Sequence, residues 1–364
     1  MNTKTITYHA VHNYGAVLQS YALQKALISL GFINEIINFN KDKVIIFDKI
    51  ELKLNRNNLL SILINLLKVL YFFELKRKYL RFENFINNEL ILTSTYKSYE
   101  ELKLNPPDAD CYISGSDQVW NAINGCFPAF FLDFGNKNTK RISYAASMGV
   151  YNLPIDNEKK LINYISKFDK VSLREEEAKN YIEARTDKNC LVHIDPVFLL
   201  DKKQWSKLCN ENSIKGKYIL CYPLINNELL NESLKKLKKL TNLPIIILVP
   251  ENRTKCKGDI YIRDAGPKEF LSLIKNSEYV VTTSFHGTAF SIIFEKKFFS
   301  LVGLHAPTRI TNLLNTFNLG NRVITDIEYL NLDEIDYDKV NILKNIECQK
   351  SIDYLKNIMK ADNG

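Results

Sequence analysis

The sequence predicts an α/β fold of two halves, each a helix-covered parallel sheet, facing one another across a cleft, with one further helix at the end of the chain. Three observations predict it. Short β-branched or aromatic runs alternate with helical patterns nearly throughout, as they do where parallel strands are joined by helical crossovers. The 364 residues are too many for one ordinary core, so two domains are expected. Finally, the strand-like runs fall into two groups separated by the polar, strand-free stretch DKKQWSKLCNENSIKGK, residues 201–217. The boundary is expected near 205–215, giving an N-terminal domain over 1–205, a C-terminal domain over 206–330 and a helix over 331–364 that packs back on the body.

Taken in order, strands of the first group are expected at 5–9, 33–38, 110–114, 141–145, 170–173 and 191–194, and of the second at 218–222, 245–249, 279–282 and 298–302. The first helix lies in HNYGAVLQSYALQKAL, residues 12–27, where Val17, Leu18, Tyr21, Ala22 and Leu23 fall on one side of a 3.6-residue period. Its mouth is the unusual part. Gly15 lets the backbone approach something closely, and the first N–H groups of the helix are left free for an anion.

The segment LLSILINLLKVLYFF, residues 59–73, breaks the alternation. At 15 residues, interrupted by Ser61, Asn65 and Lys68, it is too short to span a bilayer. The favoured reading is a helix packed against the N-terminal sheet. The alternative is an interfacial helix whose Lys76, Arg77, Lys78 and Arg81 meet anionic lipid at the inner face of the membrane. DYDKVNILKNIECQKSIDYLKNIMK, residues 336–360, reads as one closing amphipathic helix.

Composition narrows the function classes. A hydrophobic fraction of 46% and a charged fraction of 25% are those of a soluble globular protein. The net charge of +8 comes from 49 basic and 41 acidic residues scattered along the chain, which suits an anionic substrate or a membrane surface. No aromatic-plus-basic pattern or concentrated basic helix is present, so no nucleic-acid partner is expected. Seven cysteines without a CxxC pair read as reduced thiols rather than as disulfides or a zinc site. With no signal-peptide pattern at the N-terminus, the expected location is the cytoplasm.

Four places carry residues suited to chemistry. In CYISGSDQVWN, residues 111–121, a buried strand delivers Ser116, Asp117 and Gln118 toward the cleft. Asp117 is either a general base for a substrate hydroxyl or a side chain capping its own turn, and the sequence leaves both open. In EYVVTTSFHGTAFSIIFEKKF, residues 278–298, His286 sits on a strand-to-helix turn between Ser284 and Gly287, facing the loops of the other domain. That position favours proton transfer or anion binding over a structural role. Arg174, in VSLREEEAKNYI, is a cation in a helix's first turn, where cations are disfavoured, which suggests a carboxylate or phosphate partner. Arg309, in HAPTRITNLL, is either a second anion clamp or a solvated surface arginine.

Together, HNYGAVLQSYALQ, ISGSDQVWN, ISYAASMG, SLREEEA, HIDPVFLL and TSFHGTAFSIIF, in this order, resemble the polysaccharide pyruvyl transferase family over roughly residues 5–325. The resemblance implies two facing Rossmann-like domains of the glycosyltransferase-B type. It implies phosphoenolpyruvate as donor and co-substrate, and a sugar of a surface polysaccharide or its lipid-linked precursor as acceptor. Two sugar hydroxyls would form a ketal with pyruvate and phosphate would be released. His286 would then be the acid or phosphate partner and Asp117 the base. Arg174 and Arg309 would be clamps on the donor side with Ser284 and Gly287, while Asn13, Tyr14, Gly15, Ser116 and Gln118 would line the acceptor side. No further cofactor and no metal are expected. One departure stands out: some members resemble R-L-H where this chain has Ser284, Phe285 and His286. The missing charge would then come from Arg309, Lys296 or Lys297, or the donor differs. Two alternatives remain: a nucleotide-sugar glycosyltransferase on the same fold, with Asp264 or Glu269 meeting the donor ribose, and a silent glycan-binding relative.

Overall fold

Two parallel sheets of the same strand order organise the chain in the computed structural model, which describes residues 1–39, 59–211, 214–225, 227–250, 254–302 and 307–358. The N-terminal domain runs β1 (Asn2–Ile6), α1 (Tyr14–Ser29), β2 (Ile33–Phe39), α2 (Leu59–Glu89), β3 (Leu92–Tyr96), α3 (Tyr99–Leu104), β4 (Cys111–Ser114), β5 (Lys140–Ser143), α4 (Ile155–Ile165), β6 (Val171–Leu173), α5 (Glu176–Glu183) and β7 (Cys190–Val192). Its strands are ordered β3-β2-β1-β4-β5, and bridges from Ile142 to Lys170 and from Ala146 to Leu173 attach the β6–β7 pair to the β5 edge. The C-terminal domain runs α6 (Lys202–Leu208), β8 (Ile219–Tyr222), α7 (Glu228–Thr241), β9 (Ile245–Leu248), β10 (Ile260–Ile262), α8 (Pro267–Asn276), β11 (Tyr279–Thr282), α9 (Phe285–Ile293), β12 (Lys297–Ser300) and α10 (Pro307–Thr316). Its order, β10-β9-β8-β11-β12, repeats the first. In each sheet the connection reverses direction between the first and fourth strands, which opens a crevice at their carboxyl ends.

The central strands are legible because both of their faces are buried: β8, β9 and β11 are buried at every position. The strands that the sequence did not announce, β3 and β10, are half-exposed edges without a continuous apolar run. Residues 7–9, expected within the first strand, lie beyond it. There the Thr7 hydroxyl donates to the Ser116 carbonyl and the His9 ring sits between Thr7 O and Asn38 Oδ1, so polar partners replace the ladder.

Of residues 59–73, expected to pack against the N-terminal sheet, the side chains of 59–70 lie outside the described residues, while farther along α2 the contacts run to both halves, Val17, Leu18 and Ile36 included. Phe82, Phe85 and Ile86 are buried in a core shared with Trp205, Phe270 and Phe290 of the C-terminal half. Arg77 pairs with Asp264 at 2.9 Å, Lys78 donates to Pro250 O, and Arg81 donates to Asp264 O and lies 3.3 Å from Glu269. Three of the four cations considered for lipid contact are thus engaged by the other domain. Among the described residues no helix is long and apolar enough to cross a membrane.

The last helix, α11 (Tyr337–Lys356), returns to the N-terminal domain. Tyr354 donates its hydroxyl to Ser143 O, and Leu355 and Ile358 are buried with Leu23, Leu27, Cys111 and Ile113. Residues 359–364 of the expected terminal segment lie outside the described residues.

Candidate active site

The carboxyl ends of β4, β6 and β7 converge with the start of α9. β4 runs into Ser116 and Asp117, β6 into Arg174 and Glu175, and the chain after β7 into Asp195, while α9 carries His286 in from the other domain. Asp195 is the hub, its side chain wholly buried. One carboxylate oxygen accepts from Val197 N at 3.1 Å, a local cap that Pro196 pre-organises. The other accepts from Arg174 Nη1 at 2.8 Å and from the Ser116 hydroxyl at 3.3 Å, and lies 3.5 Å from His286 Nε2. Burial alone would raise the Asp195 carboxyl, but His286, Arg174 and the Val197 N–H outweigh it and hold it well below the usual carboxylate range.

Arg174 has its guanidinium between two buried carboxylates, Asp195 and Glu175, with Nε 3.2 Å from Glu175 and the Phe285 ring 4.6 Å from its central carbon. Burial disfavours the charge, yet Glu175, Asp195 and Asp117 more than compensate and fix it as a cation. Arg174 thus stands before α5 and its Glu175 cap, not in the first turn as the sequence suggested, and its charge is answered largely within the protein. Arg309 differs. Burial and the charge of Arg174 both disfavour its protonated form, with Glu175 and Asp117 only partly offsetting them. Its Nη1 and Nη2 meet the Gln118 amide oxygen at 2.9 and 3.1 Å, with that amide turned so that its oxygen faces the guanidinium. Arg174 Nη2, Glu175 Oε2 and Arg309 Nε are buried without a hydrogen-bond partner among the described residues. Arg174, Asp195 and Arg309 line one small cavity of about 70 Å³.

The mouth of α1 has a definite neighbour. A β-carbon on Gly15 would fall 1.9 Å from His286 Nδ1, so the glycine is required by the close approach of an imidazole from the opposite domain. Asn13, expected on the acceptor side, caps α1 by accepting from Ala16 N at 3.2 Å. Tyr14, also expected there, is 2% exposed, stacked on Phe270 at 4.6 Å and donating to Ala265 O. Its ring is an interdomain contact, with no surface left to meet a sugar. On the donor side, Ser284 caps α9 by accepting from Gly287 N, and a β-carbon on Gly287 would fall 2.4 Å from Thr282 Oγ1. Both residues build the turn that presents His286.

Asp117 satisfies part of each open reading. It adopts a left-handed φ of 75° and its Oδ1 accepts from Gln118 N at 2.8 Å, yet it is half-buried rather than sealed and acts electrostatically on both arginines. Gln118 also lines a second cavity of about 590 Å³ at the β1/β4 crevice, with Tyr8, His9, Asn121, Asn124, Phe127 and Phe130. Of the three residues considered as replacement charges, Lys296 donates to Lys275 O and Lys297 pairs with Glu334, whereas Arg309 lines the cavity with Arg174 and Asp195. Asp264 and Glu269, considered for a ribose, are engaged by Arg77 and Arg81. No group of three or more His, Cys, Asp or Glu side chains among the described residues is arranged to hold a metal ion.

Sequence reasoning missed Asp195 and read Glu175 as a helix charge. A signal was available, since HIDPVFLL places an acid before proline after an apolar run, but only the fold brings it to Arg174 and His286.

The family described as "Polysaccharide pyruvyl transferase" matches residues 13–303, which span every residue of this cluster except Arg309. The chain belongs to that family. No curated protein matches the sequence. Among solved structures, the UDP-GlcNAc 2-epimerase of Methanocaldococcus jannaschii in complex with UDP-GlcNAc and UDP is similar at 15% identity, over 99% of each chain, with a TM-score of 0.52. The S. aureus MnaA–UDP co-structure is similar at 13% identity over 98% of this chain and 90% of that one, with a TM-score of 0.50. Trehalose-6-phosphate synthase OtsA follows at 9% identity, over 98% of each chain, with a TM-score of 0.51. At such identities the likeness is one of fold, and that fold is the glycosyltransferase-B arrangement of two facing Rossmann-like domains.

Proposed function

We propose that this family member transfers pyruvate from phosphoenolpyruvate to two hydroxyls of a sugar in a surface polysaccharide or its lipid-linked precursor, forming a ketal and releasing phosphate. The observation that carries this reading is the pair of guanidinium groups, Arg174 buried and Arg309 half-buried, which line one cavity with Asp195, the partner of His286, each keeping a buried nitrogen unpaired among the described residues. A small donor that carries both a carboxylate and a phosphate answers such a surplus better than an apolar ligand does.

In this reading the donor's methylene carbon takes up a proton, its central carbon becomes electrophilic, and one sugar hydroxyl adds there. The bond to the phosphate oxygen breaks, and the second hydroxyl closes the ring. Of the two hydroxyl protons lost, one balances the methyl formed and the other the phosphate released. His286 acts as the acid or phosphate partner, Asp117 takes the proton from a hydroxyl, and Arg309 clamps the anion with the free Nη2 of Arg174 beside it. We assign the acceptor sugar to the 590 Å³ cavity, which is lined by the aromatic residues Tyr8, Phe127 and Phe130 together with the amides Gln118, Asn121 and Asn124. Gln118 connects that cavity to Arg309. A cytoplasmic setting suits the chain, since its seven cysteines form no disulfide with one another.

The test is thermal stabilisation of the purified protein by phosphoenolpyruvate against a panel of nucleotide sugars, with Arg309→Ala as control. A saturable shift with phosphoenolpyruvate that is lost in Arg309→Ala is expected. A shift with a nucleotide sugar alone would refute pyruvyl transfer.

A further inference from the structure

We propose that Asp195 is a positioning residue that holds the His286 imidazole across the domain junction with Nε2 as its anchored nitrogen, leaving Nδ1 as the nitrogen that exchanges a proton. The geometry gives the reason. His286 Nε2 is buried and without another hydrogen-bond partner among the described residues, and the group it faces at 3.5 Å is the Asp195 carboxylate. A lone pair directed at a carboxylate is repelled, so Nε2 carries hydrogen whether the ring is neutral or charged. That assignment leaves the other nitrogen as the one whose lone pair can accept a proton. Nδ1 lies on the Gly15 side of the ring, at the mouth of α1, and the side chain is 11% exposed.

Asp195 is itself fixed from several directions. Arg174 Nη1, the Ser116 hydroxyl and Val197 N all donate to it, so its oxygens cannot swing away when the ring changes charge. Among the described carboxylates, Asp195 after β7 is the one within 4 Å of a ring nitrogen; Arg174 and Glu175 after β6, Asp117 after β4 and Arg309 on α10 are the other charged groups of the cluster. Gly15 completes the arrangement from the opposite side, because any side chain there would occupy the space of the ring. A two-sided cradle of this kind, acid on one nitrogen and bare backbone by the other, fixes both tautomer and direction. The catalytic consequence rests on the pyruvyl-transfer reading, whereas the orientation of the ring does not.

The experiment is a long-range nitrogen–proton correlation spectrum of the full-length protein with ¹⁵N-labelled histidine, recorded at alkaline pH where the rings are neutral. His286 is assigned among the five histidines by its disappearance in His286→Gln. The expected result is an Nε2–H tautomer for His286, converted to an Nδ1–H form or a mixture in Asp195→Asn. Gly15→Ala is the second variant, and it too should lose the pure Nε2–H tautomer by displacing the ring from Asp195. If Asp195→Asn does not fold, the wild-type spectrum and Gly15→Ala decide. An Nδ1–H tautomer in the wild type, or an Nε2–H tautomer unchanged in a folded Asp195→Asn or Gly15→Ala, overturns the proposal. Phosphate release from phosphoenolpyruvate is measured on the same samples. The expected tautomers without turnover would leave the orientation standing and remove the pyruvyl-transfer reading instead.

Discussion

Arg174 illustrates how a residue's sequence signal and its structural role can part. Its position before three glutamates marks it as unusual, and the expected partner is a bound anion. The fold supplies two anions of its own, Asp195 and Glu175, both buried. Removing one partner of such a group leaves uncompensated charge in a medium that solvates it poorly. Arg174→Ala is therefore expected to cost about 3–5 kcal/mol of stability, measured by urea unfolding without ligand. Arg174→Ala combined with Asp195→Asn and Glu175→Gln should recover much of that loss, and equal instability of the single and triple variants would refute the explanation. His286 and Arg309 stood out as single residues because each falls in the first turn of a helix, α9 and α10. Asp195 did not, because its importance lies in three partners 21, 79 and 91 positions away, a relation that no local pattern encodes. For the same reason the sequence marked Tyr14 and Gly15 as unusual without showing that their neighbours are Phe270 and His286 of the other half.

Elements were legible in proportion to burial. Strands buried on both faces declared themselves by continuous apolar runs, whereas β3 and β10, at the sheet edges, did not. The closing helix was readable as a helix, but its docking depends on one aromatic and histidine layer. The His193 ring lies 4.6 Å from Tyr354 of α11 and 6.0 Å from Tyr144, with Nδ1 2.7 Å from the Ser172 hydroxyl. Burial, and secondarily Lys350, push His193 down to about 4. The fold thus holds it neutral while the unfolded chain protonates it below its ordinary value of 6.5. Between these values the unfolded state binds more protons, so the contribution is complete above pH 6.5 and falls as the pH drops toward 4. A loss of up to about 1.4 kcal/mol per pH unit is the ceiling for one group. His193→Gln should flatten the stability curve between pH 6.5 and 5, although burial also pushes His9 down and leaves it a share of the slope. An unaltered slope in His193→Gln would place the acid sensitivity elsewhere.

On the scale of the whole molecule, the two sheets repeat one topology, yet they do not behave as two independent cores. One continuous apolar cluster takes Tyr14, Val17, Leu18, Phe82 and Phe85 from the first half and Trp205, Tyr218, Phe270 and Phe290 from the second. Helix α2 is pinned to the second domain by Arg77 and Arg81, and α11 begins beside β12, where the Tyr337 hydroxyl donates to Lys296 O, and ends on the first sheet. Shared burial of this kind couples unfolding, since neither half can open without exposing apolar surface of the other. The expected calorimetric trace is therefore a single cooperative transition. Tyr14→Ala removes a ring stacked on Phe270 and a hydrogen bond to Ala265 O, and should lower stability by about 3–5 kcal/mol as for other buried aromatic truncations. If the junction carries the coupling, the same variant should broaden or split the transition, while a core truncation confined to one sheet, such as Ile247→Ala, should shift it intact. Two resolved transitions in the wild type would show that the domains are energetically separate, and the cleft would then be free to open widely as substrates enter.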